Sequence, residues 1–117
     1  MKIEEIVEIL EAEVLGEIEK PQEEIEIACG ADLMSDVLAF VKEDALLLTG
    51  LTNPQVVRTA EVAGIKTICF VRGKRPPDET KDLAREKGIH LLSTKLPMYE
   101  SCGRLYKEGL GGCSEVD

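Results

Sequence analysis

Two stretches of this chain, Ala45-Leu46-Leu47-Leu48 and Ile65 to Val71, are apolar at almost every position. A strand with one wet face alternates apolar and polar residues. A continuous apolar run must instead be covered on both faces, as in the middle of a parallel sheet. Amphipathic stretches flank these runs. Met34, Val37, Leu38 and Val41 recur at helical spacing, and so do Val56, Val57, Ala60 and Ala63. Gly30 ends the segment before the first of these helices, and Asp32 stands where an N-cap is expected. Asn53 stands at the cap of the second, with Pro54 in its first turn and Gly64 past its end. Pro76-Pro77 and Gly88 bracket a charged, weakly amphipathic helix over 78–87. Ile89 to Leu92 reads as a short strand. Pro97 opens a last helix on which Tyr99, Cys102, Gly103 and Tyr106 share a face. From residue 30 onward helix and strand alternate, which implies right-handed crossovers between parallel strands. The expected fold is α/β: a compact layered domain with a largely parallel sheet flanked by short helices.

Before residue 30 the pattern changes. Ile3, Ile6, Val7 and Leu10 predict a helix over 2–11, followed by a short strand at 12–16. Ile25, Ile27 and Cys29 alternate with Glu24, Glu26 and Ala28, the period of a strand near a sheet edge. At the other end, Gly109-Leu-Gly-Gly-Cys-Ser-Glu-Val-Asp is Gly-rich and polar. It is expected to fray, giving one domain over 1–110 and a flexible tail over 111–117.

Composition narrows the function classes. Aromatics make up 3% of 117 residues and there is no Trp, so the core is aliphatic. A formal charge of −9 opposes nucleic-acid binding, which needs a basic footprint, and opposes adsorption to an anionic membrane. No apolar run reaches the roughly 20 residues of a membrane span. Met1-Lys2-Ile3-Glu4-Glu5 has no signal-peptide pattern, so the expected location is cytoplasmic. Cys29, Cys69, Cys102 and Cys113 form no C-x-x-C pair, and a cytoplasmic setting argues against structural disulfides. They lack the spacing of a zinc or iron–sulfur site, so no metal site is expected. Cys113, in the tail, is the most accessible candidate for thiol chemistry.

In an open α/β sheet, ligands bind beyond the carboxyl ends of the strands. Three such ends carry suitable residues. Thr49-Gly50-Leu51-Thr52-Asn53-Pro54 joins a buried strand to a helix. Its glycine permits close approach, and the helix start offers N–H groups to an anion. Arg72-Gly73-Lys74-Arg75 places three positive charges in four residues of an acidic chain, and arginine binds phosphate or carboxylate through paired hydrogen bonds. Gly30-Ala31-Asp32, with Ser35 and Asp36, can line the same crevice, although plain capping also accounts for it. The candidate ligand-binding residues are therefore Thr49, Gly50, Thr52, Asn53, Arg72, Lys74 and Arg75. Neither a Walker A loop nor G-x-G-x-x-G is present, so ATPase and dehydrogenase chemistry and their cofactors are not expected. The one histidine, His90, lies in a short apolar strand without a second histidine or an acid pattern and reads as structural.

The order of Asp32-Leu-Met-Ser-Asp-Val-Leu, Leu46-Leu-Leu-Thr-Gly-Leu-Thr-Asn-Pro-Gln-Val-Val-Arg-Thr-Ala, Ile68-Cys-Phe-Val-Arg-Gly and Gly88-Ile-His-Leu-Leu-Ser-Thr resembles the DRTGG domain family over roughly residues 1–110. That family is similar to the N-terminal domain of HPr kinase/phosphorylase. It also occurs beside CBS domains and in some phosphate acetyltransferases. The resemblance implies an accessory, regulatory role, with adenine nucleotides nearby and homodimer contacts. It carries over no catalytic residue. The pentapeptide that names the family is absent here, with Thr49-Gly50 as its remnant. The reading is a stand-alone, non-catalytic, homodimeric sensor of a small anionic ligand such as an adenine nucleotide, acting on an unknown protein partner. The alternatives are an interaction module without ligand, presenting Tyr99, Tyr106 and Leu110, and a cysteine-based metal or redox protein.

Overall fold

A computed structural model describes residues 1–115 of the chain. Its elements are α1 (Ile3–Leu10), β1 (Glu13–Leu15), β2 (Ile27–Gly30), α2 (Met34–Phe40), β3 (Leu46–Thr49), α3 (Pro54–Ala63), β4 (Thr67–Phe70), α4 (Asp78–Lys87), β5 (His90–Ser93), α5 (Met98–Lys107), β6 (Gly111–Gly112) and a 3₁₀ turn at Cys113–Glu115. The six strands form one sheet in the order β1-β5-β4-β3-β2-β6. All neighbours are parallel except β1, which runs antiparallel to β5. The α/β class, the largely parallel sheet and the short flanking helices match the expectation from sequence.

Strand periodicity explains why the central apolar runs end up here. Every residue of β3 and of β4 is buried. Leu46 and Leu48 point into one core, with Ile3, Ile6 and Leu10 of α1 and Leu105 of α5. Leu47 points into the other, with Val37, Val56, Val57 and Ala60 of α2 and α3. In β4 the alternation continues: Cys69 joins the first core, Ile68 and Phe70 the second. Each successive Cβ changes face, so a strand apolar at every position fills two cores at once.

Helix termini follow local chemistry with two exceptions. Gly64 and Gly88 end α3 and α4 at φ 76° and 71°, the left-handed region where a glycine carries no Cβ penalty. Asn53 occupies the N-cap position of α3 and Pro54 its first turn, but the Asn53 side chain makes no capping hydrogen bond. Asp32 is not the N-cap of α2. That position belongs to Leu33, and the Asp32 carboxylate is used elsewhere.

Two further expectations are corrected. Leu38 does not belong to a buried stripe. It is 54% exposed, and Val37 alone of the seven residues of α2 is buried, because so short a helix turns only one position fully onto the core. The Gly-rich segment does not fray at 111. Gly111 and Gly112 pair in parallel with Ile27 and Ala28, and the chain continues through the turn at Cys113–Glu115. The outer edge of β2 offers unpaired backbone groups, and two residues without side chains can approach it. Residues 116–117 of the expected tail lie outside the described residues.

Leu47 is fully buried between β2, β4 and the second core. Leu47→Ala is expected to lower unfolding free energy by about 2–5 kcal/mol, read from the midpoint of urea denaturation.

Candidate functional site

The strand order sets β2, β3 and β4 side by side and in parallel. Their carboxyl ends therefore emerge at one edge of the sheet, and the three candidate segments meet there. Thr49, the last residue of β3, is buried. Its Oγ1 donates to the Asp32 carboxylate at 3.0 Å and accepts from the Leu51 N–H at 3.2 Å. The Gly50 N–H donates to the same Asp32 oxygen at 2.7 Å. Asp32 thus ties the exit of β2 to the exit of β3.

Arg72 follows β4 and lies over this turn. A Cβ placed on Gly50 would run into the Arg72 guanidinium, so the glycine lets that side chain lie directly on the turn. The Arg72 backbone has φ 60°, an uncommon value for a side-chain-bearing residue that costs of order 1–3 kcal/mol. The Arg72 N–H donates to the Leu96 carbonyl and the Gly73 N–H to the Thr94 carbonyl, each at 2.8 Å. The segment after β5 thereby fixes the backbone that aims Arg72. Thr52 contributes its carbonyl, which accepts from Thr80 Oγ1 at 2.7 Å and anchors the loop to α4.

The candidate residues divide accordingly. Thr49, Gly50 and Arg72 form one cluster, with Thr52 and Asn53 following Gly50 along the loop into α3. The Gly50 N–H is engaged by Asp32, so the cationic charge at the crest comes from Arg72. Lys74 is exposed, and its carbonyl accepts from Ser93 Oγ at 2.9 Å. Arg75 is held away from the cluster. Its two terminal nitrogens donate to the two carboxylate oxygens of Glu13 on β1, at 3.1 and 2.6 Å. Hydrogen bonding and the charge of Arg75 hold the Glu13 carboxyl below the usual carboxylate range. Nothing in the sequence spacing signals the Glu13–Arg75 pair or the use of Asp32, since both depend on strand order.

An apolar cavity of about 320 Å³ is lined in part by Gly30 and Leu48, which precede Asp32 and Thr49 in the chain by two residues and one. Tyr99, Cys102 and Tyr106 of α5 form one wall, and Gly111 and Gly112 another. Tyr99 and Tyr106 are 87% and 63% exposed, whereas Leu110, expected on the same surface, is buried. A second cavity, of about 460 Å³, opens beside the start of β5 among Glu17, Glu19, Lys81, Arg85 and His90. His90 Nδ1 is buried there with no hydrogen-bond partner among the described residues. Cys69 sits in the first core, and burial pushes its thiol up to about 12. Among the described residues, no three His, Cys, Asp or Glu side chains are grouped to hold a metal ion. No helix of the described residues is long and apolar enough to cross a membrane.

The family model of the DRTGG domain matches residues 5–107. The chain belongs to the DRTGG domain family. A solved structure of similar fold contains the CBS and DRTGG domains of the regulatory region of Clostridium perfringens pyrophosphatase, complexed with the activator diadenosine tetraphosphate. Its TM-score is 0.72 at 14% identity, covering 89% of this chain and 45% of that one. This chain therefore spans less than half the length of that structure, and the likeness establishes the fold. Comparison with curated proteins gave no match. In this DRTGG domain Thr49-Gly50 is hydrogen-bonded to Asp32 and lies against the Arg72 guanidinium.

Asp32→Ala leaves the buried Thr49 hydroxyl and the Gly50 N–H without their acceptor. It is expected to destabilise the DRTGG domain by about 1–3 kcal/mol in urea unfolding, with a smaller loss for Asp32→Asn. The lowered Glu13 value means that its pairing with Arg75 stabilises the fold above the ordinary carboxylate range and is lost as pH falls through the folded value. A carboxyl-detected NMR titration should show Glu13 moving back up towards an ordinary value in Arg75→Ala.

Proposed function

We propose that this DRTGG domain is a non-catalytic regulatory module that senses a small anionic ligand, with adenine nucleotides as the leading class. The observation that carries the reading is the Arg72 guanidinium lying against Gly50 at the carboxyl ends of the parallel strands. The strained φ of Arg72 supports it, because backbone strain of this kind collects at sites that position a ligand group. The proposed site comprises Thr49, Gly50, Thr52, Asn53, Arg72 and Lys74. Arg72 and Lys74 meet the anion, and the α3 N-terminus adds a favourable dipole. Arg75 stays with Glu13. The adjoining apolar cavity, walled by Tyr99 and Tyr106, suits the flat base of a nucleotide. The nucleotide complex of the pyrophosphatase regulatory region gives this ligand class its priority. The proposal includes a homodimer in the cytoplasm that passes ligand occupancy to a protein partner through a change in a shared surface.

A ligand that binds only the folded state raises the unfolding temperature, so the test is thermal unfolding against mono-, di- and dinucleoside phosphates, inorganic phosphate and small carboxylates. The expected result is a shift with an adenine nucleotide. Arg72→Glu is expected to weaken that binding roughly 10-fold or more, while Arg75→Glu changes it little. An unshifted panel, or Arg72→Glu binding as tightly as the parent, would overturn the reading.

A second reading, an interaction module without ligand, is supported by exposed apolar side chains on the α2 and α3 side. Leu33 is 59% exposed, Phe40 70% and Val62 77%. Isolated exposed side chains are ordinary in folded proteins, but three large ones on neighbouring short elements suit a protein contact. Light scattering of the parent and of Phe40→Glu distinguishes the readings: a dimer lost in the variant, with no ligand in the panel, favours the interaction module.

A further inference from the structure

Three of the four cysteines gather at the β2–β6 edge of the sheet. Parallel register pairs Ile27 with Gly111 and Ala28 with Gly112. Cys29 follows Ala28 in β2, and Cys113 follows Gly112 at the start of the 3₁₀ turn, which is in contact with β2. Neighbouring strands lie about 4.8 Å apart, inside the window of roughly 4.4–6.8 Å between Cα atoms that a disulfide spans. Each cysteine is thus one residue past a paired rung, and Cys113 acts on the Cys29 thiol more strongly than Cys102 does, as the nearer of two like charges would. Cys102 of α5 is near but placed differently. Its Sγ lies 2.9 Å from where a Cβ on Gly30 would stand, one residue along β2 and therefore across the pleat from Cys29. We propose that Cys29 and Cys113 are a reversible disulfide-forming pair that reacts with small-molecule disulfides and fastens β6 to β2.

The step is thiol–disulfide exchange. One of the two thiols, as its thiolate, attacks a sulfur of the small disulfide and releases the first thiolate of the reagent. The second cysteine then attacks the mixed disulfide and releases the other. Two S–H bonds are lost and one S–S bond forms. The two electrons reduce the reagent to two thiols, which take up the two protons. Both thiols are free. Burial, then the neighbouring Cys113 and Cys102, pushes Cys29 up to about 11, so it rests protonated at neutral pH and exchange accelerates in alkali. The bond would close a long loop from β2 to the 3₁₀ turn, for which the stabilisation by restricting the unfolded state is large. It would also fix Gly111 and Gly112, which wall the apolar cavity. This inference is independent of the ligand reading, since it needs no nucleotide.

The test is incubation of the full chain with oxidised glutathione at mildly alkaline pH, followed by peptide mapping without reduction and by thermal unfolding. A linked Cys29–Cys113 peptide is expected in the parent and in Cys102→Ser, with a Tm rise of about 5–10 °C that dithiothreitol reverses. Cys113→Ser should lose both the linked peptide and the rise. A Cys29–Cys102 link, glutathione adducts alone, or unmodified thiols in the parent would overturn the proposal. Because the map is read on the parent and on Cys102→Ser, a poorly folded Cys113→Ser does not decide the outcome.

Discussion

The fold depends on covering β3 from both sides. Its four residues are buried, and Leu46, Leu47 and Leu48 alternate between two cores that no single layer of helices could supply. Cover on one face comes from α1 and α5, from the two ends of the sequence, and on the other from α2, α3 and α4, the crossovers between successive strands. Right-handed crossovers place consecutive parallel strands next to each other. The β2-β3-β4 order is the direct result, and with it the convergence of three loops at one edge of the sheet.

That convergence makes a polar cluster from residues far apart in sequence. Asp32, Thr49 and Gly50 are joined by short hydrogen bonds, and Arg72 rests on the glycine they hold in place. One glycine thus carries a carboxylate on its N–H and a guanidinium where a side chain would stand, and Arg72 remains exposed. Arg75, three residues on, has the same chemistry but a different task, because Glu13 on the antiparallel β1 lies within its reach. Two arginines in one short loop are thus separated by what the sheet sets beside each of them.

Features governed by local chemistry were legible in the sequence. The apolar runs that became β3 and β4, the Pro54 start of α3, and the left-handed ends at Gly64 and Gly88 follow from side-chain pattern and backbone sterics. The convergence of Gly50 with Arg72 was legible from the rule that strand ends line the ligand side. Features governed by pairing between distant segments were not. Asp32 has the local look of a helix cap, and only the proximity of β3 gives its carboxylate two other donors. Leu38 fits a helical stripe, but α2 is too short and too peripheral to bury it. Gly111-Gly112 has the composition of a loose end, and only the open edge of β2 makes it a strand.

Both outer strands of the sheet are recruited from a distance: β1 lies beside β5, and β6 beside β2. During synthesis β1 emerges long before the segment at His90–Ser93 that receives it, and β2 waits still longer for Gly111 and Gly112. The β2-β3-β4 middle, linked by short crossovers, can assemble as it leaves the ribosome. The two borders cannot, so for most of the chain's elongation the sheet has uncapped edges, and its first and last strands join it at the end.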